Sequence, residues 1–193
     1  ERGVAVAPES GRVRVLFARA LYLTDKPERA IREAEEALRI DPNNVEVLAW
    51  AGDVFASTGT FNRAEEVMEK VALMNPNYPV WMNWLLVKVH MARGEYLEAI
   101  ARLQKTQMEW WYWTKVDIAA CYCLLGDIER GRKELEAALE ANPNFAEVYW
   151  RESYYWNKGP KVRPFLDAAT NGLEACGWDV PPDPGPEAFA APQ

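Results

Sequence analysis

The sequence predicts an all-α fold built from repeated helix–turn–helix units, and three observations carry that expectation. The first is a repeated stop signal. "IDPNN" (40–44), "MNPNY" (74–78) and "ANPNF" (141–145) place Pro42, Pro76 and Pro143 at separations of 34 and 67 residues, and one more step of 34 back from Pro42 reaches Pro8. The second is a set of turn glycines, Gly59, Gly94 and Gly126, spaced 35 and 32 residues apart, each followed two residues on by an apolar side chain. A period near 34 is the mark of stacked supersecondary units. Third, apolar residues recur at helical spacing, the helix formers Ala, Leu, Glu, Lys and Arg dominate, and β-branched runs are almost absent.

The unit from 45 to 78 shows the pattern most fully. "VEVLAWAGDVFAS" puts Leu48, Ala51, Gly52 and Phe55 on one helical face, and after a Gly turn "FNRAEEVMEKVALM" puts Phe61, Ala64, Met68 and Val71 on another. Pro and Asn then stop the second helix. Gly52, Phe55, Gly59, Phe61, Ala64 and Pro76 stand at the signature places of a tetratricopeptide repeat (TPR), and the chain resembles an array of that family.

In chain order, residues 1–10 are expected to end a second helix of a preceding unit, since Pro8 lies one period before Pro42; the chain would then be a fragment of a longer protein. Residues 11–44 match the family at Ala18, Ala30, Ala37 and Pro42 but have Pro27 and no turn Gly. Residues 80–111 keep Gly94, Tyr96 and Ala99 without a closing Pro, and 112–145 keep Ala119, Tyr122, Gly126, Ala138 and Pro143, with Gly131 where the family has Ala. Residues 146–178 form a degenerate last unit. Gly159-Pro160 stops its first helix, and the off-pattern "RPFLDAATNGLEAC" suits a cap that buries one side. The tail, 179–193, carries five prolines and is expected to be extended and docked on its own array or on a neighbouring molecule.

Composition excludes several function classes. The 193 residues carry a net charge of −7, which disfavours nucleic acid as a partner by bulk attraction. No apolar stretch approaches the roughly 18–20 residues of a membrane helix, so no membrane insertion is expected. Three cysteines leave one unpaired, and Cys121 and Cys123 point to different sides of a helix. That argues against a disulfide framework and for a reducing, cytoplasmic setting. No phosphate loop, nucleophile elbow or metal spacing is present, so no catalytic residue, metal or cofactor is expected. His90, the single histidine, sits where neighbouring units have Phe55 and Tyr122 and reads as a core residue. Acidic runs such as "RAEEVMEK" alternate with basic residues as on a solvated helix face.

What remains is an aromatic excess: nine tryptophans, including the run Trp110, Trp111, Tyr112, Trp113. The family resemblance implies a right-handed α–α superhelix whose first helices line a concave groove. Its ligand-contacting places fall here on Arg19 and Tyr22, Asp53, then Trp81, Trp84 and Lys88, then Trp113, and finally Trp150 and Tyr154. By this reading Trp110 and Trp111 seal a shortened joint between units while Trp113 faces the groove. The implied function is a scaffold binding a protein or peptide segment, with groove and tail as surfaces for self-association and no catalysis of its own. The competing explanation for the rings is packing against one another or the tail. A second functional reading is a regulatory region of a larger bacterial enzyme or transcription regulator, since "GLEACGWDVP" loosely resembles the end of arrays behind class III nucleotide cyclases.

Overall fold

A computed structural model describes residues 3, 6–108 and 110–189. Of residues 1–10, positions 1, 2, 4 and 5 lie outside that set, while Gly3 and Val6 are helical and Pro8 and Glu9 form a turn. Among the described residues the architecture is all-α: α1 (Gly11–Leu23), α2 (Pro27–Ile40), α3 (Val45–Ser57), α4 (Phe61–Met74), α5 (Asn83–Ala92), α6 (Tyr96–Lys105), α7 (Tyr112–Leu124), α8 (Ile128–Ala141), α9 (Phe145–Trp156) and α10 (Arg163–Ala175). Helices pair within each unit, α1 with α2, α3 with α4, α5 with α6 and α7 with α8. Among the described residues no helix is long and apolar enough to cross a membrane.

The turns explain the repeat. Gly59, Gly94 and Gly126 all adopt left-handed backbone, with φ of 75°, 77° and 83°. The unit without a turn Gly builds the same turn with Asp25 at φ 57°, a conformation that Asp tolerates better than most residues. In each case the amide one residue beyond closes onto a carbonyl five residues back: Lys26 to Leu21, Thr60 to Phe55, Glu95 to His90 and Asp127 to Tyr122, at 2.8–2.9 Å. Helix starts are set by side chains as well. Ser10 caps α1 through the Val13 amide, and Asn44 caps α3 through those of Glu46 and Val47.

Two features depart from the regular pattern. The helix α6 has 10 residues where α2, α4 and α8 have 14. Gln107 turns left-handed (φ 53°), and the Thr106 hydroxyl donates to the Leu103 carbonyl and accepts from the Met108 amide. The third joint, at residues 106–108 and 110–111, is therefore irregular rather than a shortened regular turn. The last helix is the second departure. Instead of only capping the stack, α10 packs across α7 and α5, on the face where the first helices would otherwise line a groove. Gly172 permits this, since a Cβ there would lie 2.7 Å from the Ala120 Cα.

A disulfide joins Cys123 of α7 to Cys176 just beyond α10, with Cα atoms 5.4 Å apart. This corrects the expectation of no disulfide and removes its argument for a reducing setting. Cys121 and Cys123 do point to different sides, but Cys176 had no local signal linking it to either. Gly131 is explained too: a Cβ there would collide with the Cys123 sulfur. The ends of the array also meet. The Lys158 amide donates to the Ser57 carbonyl (2.8 Å) and the Lys158 ammonium pairs with Asp25 (3.0 Å). Gly59 lies so close to the Lys161 backbone that no side chain fits.

Candidate functional site

The open part of the inner face lies where these two ends approach. Arg19 of α1, Trp50 and Asp53 of α3, Trp81, Trp84 and Leu85 of the third unit, Met108, Trp110 and Trp111 of the irregular loop, and Trp156 at the end of α9 enclose about 380 Å³. Trp50 of α3 and Trp81, in the 3-10 turn Val80–Met82 that leads into α5, have ring centroids 5.4 Å apart, and the loop brings Trp111 to 5.1 Å from Trp84. Trp110 is 77% exposed at the rim. Its polar edge is already paired. Arg19 donates to Asp53 at 2.9 Å while its guanidinium carbon sits 3.9 Å from the centre of the Trp50 ring.

Behind Trp84, Trp111 and Trp156 lies a second, smaller recess of about 20 Å³, walled also by Trp113 and bounded by Asp117, Glu152 and Asn157. Asp117 is 1% exposed, and one of its oxygens accepts from the Trp84 indole N–H at 3.2 Å. Burial pushes its carboxyl up to about 7, opposed by that hydrogen bond and by Lys88. Lys88 is fully buried, donating to the Ser57 hydroxyl and the Trp156 carbonyl, with its ammonium 4.5 Å from the Trp84 ring centre. Burial lowers it to about 8 against the attraction of Asp53 and Asp117.

Residues 21–82 match the family model described as tetratricopeptide repeat. That stretch, about a third of the chain, carries the tetratricopeptide-repeat pattern. No curated protein matches the sequence. Among solved structures, YrrB, described as a TPR protein with an unusual peptide-binding site, is 19% identical over 90% of this chain and 91% of that one, with a TM-score of 0.58. MamA (41–end) from Desulfovibrio magneticus RS-1 is also 19% identical, covering 86% and 94% of the two chains, with a TM-score of 0.60. At these identities the likeness shows the fold.

Against that fold, eight of the nine groove residues expected from the sequence divide into three groups, with Trp113 apart from them. Arg19, Asp53, Trp81 and Trp84 do come together around the open cavity. Tyr22 and Lys88 are buried, Tyr22 with its hydroxyl 3.4 Å from Asp53 and pushed up by burial. Trp150 and Tyr154 lie beneath the chain's own tail: the Trp150 indole donates to the Pro181 carbonyl (2.6 Å) and the Tyr154 hydroxyl to Asp183 (2.8 Å).

Trp113 is the main correction. It is 8% exposed, stacked on Tyr149 and edge-on to Phe145, with its indole N–H donating to Glu152 at 2.6 Å. The roles within the aromatic run are thus exchanged, with Trp113 structural and Trp110 and Trp111 at the cavity. The physical reason is that Tyr112 begins α7, so Trp113 takes an inner-helix phase that α10 and α9 cover, whereas the preceding rings ride the loop. The cavity also takes in Trp50, Met108, Trp110, Trp111 and Trp156, which are not among the groove places expected from the sequence. The absent closing Pro at the third joint was the one signal for the loop.

Proposed function

We propose that the chain is a protein–protein interaction module that holds a peptide segment in the tryptophan-lined cavity between its first three units and the end of α9. The observation that carries this is the aromatic concentration itself. Trp50, Trp81, Trp84, Trp110, Trp111 and Trp156 share one concavity whose single charged pair, Arg19–Asp53, is internally satisfied. Bulky rings around a shallow opening, one of them mostly in water, are the composition of binding hot spots rather than of a surface left to solvent. The TPR fold commonly serves protein–protein interaction, and the peptide-binding site in the description of YrrB agrees with that use. No nucleophile–base pair lines the cavity, and the reading includes no catalytic step.

The test is selection of peptides from a random displayed library on the folded protein, followed by titration against Trp110→Ala and Trp81→Ala. Selected peptides should lose on the order of tenfold or more in affinity with either variant, the range for truncating an aromatic anchor, while helical content by circular dichroism stays unchanged. Peptides that bind wild type and both variants equally would place recognition elsewhere and end this proposal.

A further inference from the structure

The small recess behind the tryptophans is chemically unlike the cavity in front of it. Two acceptors, the second oxygen of Asp117 and the side-chain oxygen of Asn157, have no hydrogen-bond partner among the described residues, although Asp117 is 1% and Asn157 5% exposed. Both residues line the same recess. Leaving buried acceptors unpaired is costly, and such groups call for a donor. A space of about 20 Å³ admits one water-sized group and no more. Its walls include the indole rings of Trp84, Trp111, Trp113 and Trp156, with Phe165, Leu166 and Ala169, and aromatic rings are favourable neighbours for a cation. Glu152 adds a second carboxylate, one oxygen of which accepts from both Tyr112 and Trp113, and Lys88 is the cation facing Asp117 from α5.

We infer that this recess is a primary-ammonium site, which takes the end of a lysine side chain presented by a segment lying in the tryptophan cavity. The inference rests on the proposed peptide-binding reading and names its anchor. An ammonium has the size of a water and three N–H donors, enough for both orphaned oxygens. The lysine methylenes would run between Trp84, Trp111 and Trp156, the three rings common to both spaces. The same geometry excludes close relatives. A guanidinium is planar and too broad for a one-water space, a trimethylated ammonium has no N–H to give, and an acetylated lysine carries no charge.

The experiment uses capped nonapeptides of Gly and Ser with one central lysine, arginine, trimethyl-lysine or acetyl-lysine, titrated into the full chain by calorimetry. The lysine peptide should bind at least tenfold more tightly than each of the other three. Asp117→Asn, which keeps an acceptor for the Trp84 indole, should remove at least tenfold of that preference. Should this variant fail to fold, the comparison among the four peptides still decides. Equal binding of all four, lost in Trp110→Ala, overturns the ammonium site and leaves the peptide cavity standing. If none of the four binds while library-selected, lysine-free peptides do, the recess holds only water and the inference fails. If no peptide of either kind binds, both readings fall.

Discussion

Reduction of the Cys123–Cys176 bond should weaken this protein substantially, because the bond encloses a long loop and ties α10 across the inner face. The two cysteines are 53 residues apart. Closing a loop of that length removes denatured-state entropy worth about 4 kcal/mol at 25 °C on the chain-entropy model. Against a typical domain stability of about 5–15 kcal/mol, that is a large share. The assay is urea unfolding followed by tryptophan fluorescence, with and without reductant, beside a Cys123→Ala/Cys176→Ala variant. The oxidised midpoint should lie well above both others. In denaturant without reductant, a single thiol, that of Cys121, should react. Gly131→Ala sharpens the test. Its added methyl would collide with the Cys123 sulfur, so the substitution should destabilise the oxidised protein. Most of that cost should vanish in the Cys123→Ala/Cys176→Ala background, where Ala is the better helix residue by about 1 kcal/mol. Three reactive thiols in denaturant, or coincident oxidised and reduced midpoints, would refute the reasoning.

Other outcomes follow from the same packing. Trp113→Ala should cost about 3–5 kcal/mol of unfolding free energy, as for a large core aromatic, whereas Trp110→Ala should change it by no more than about 0.5 kcal/mol; chemical denaturation of the two variants compares them directly. Asp117 has a folded pKa of about 7, above its ordinary value of 3.8. Its contribution to stability is therefore fully present below about pH 4 and is lost as pH rises through 7. The difference in stability between wild type and Asp117→Asn should track that window, and a pH-independent difference would count against the burial of this carboxyl. Tyr154 is raised to about 12 by burial and then by the Asp183 carboxylate beneath which it lies. Asp183→Ala should shift its phenolate absorbance transition toward 10, and an unmoved transition would mean the tail does not rest on α9 in solution.

The repeat was legible because it is written in local geometry. A left-handed turn residue and a stop signal recur every 34 residues or so, and each acts within a few residues of itself. The first unit shows how local this is, since Asp25 reproduces the turn without the glycine that marks the others. The inner-face positions were legible for the same reason: helix phase alone puts Trp81, Trp84, Lys88 and Trp113 on one side. What covers that side is a long-range fact. The contact of Gly172 with Ala120 spans 52 residues, and the cystine spans 53. No periodicity in the last unit announces either. Trp113 and Lys88 have a groove phase in the sequence, and they are buried because α9 and α10 cover it.

The position of the open cavity then has a specific cause. Across α7 and α5 the inner face is filled by α10, and on α9 Trp150 and Tyr154 are covered by the tail. The faces of α1 and α3 toward the inside receive no such cover. The segment just after α9 approaches them, through the contacts of Lys158 with Ser57 and Asp25. A regular Pro–Asn turn at the third joint would leave that space open to solvent on its remaining side. Early termination of α6 at Lys105, with Gln107 turned left-handed, instead sends a loop across it that carries Met108, Trp110 and Trp111. Restoring a regular joint, by replacing residues 106–111 with the Pro-containing turn of the second unit, should therefore leave α7 and the cystine in place while abolishing the cavity wall. A variant of that kind with native thermal stability and undiminished peptide binding would show that the loop is incidental to recognition; loss of binding with stability retained is the expected result.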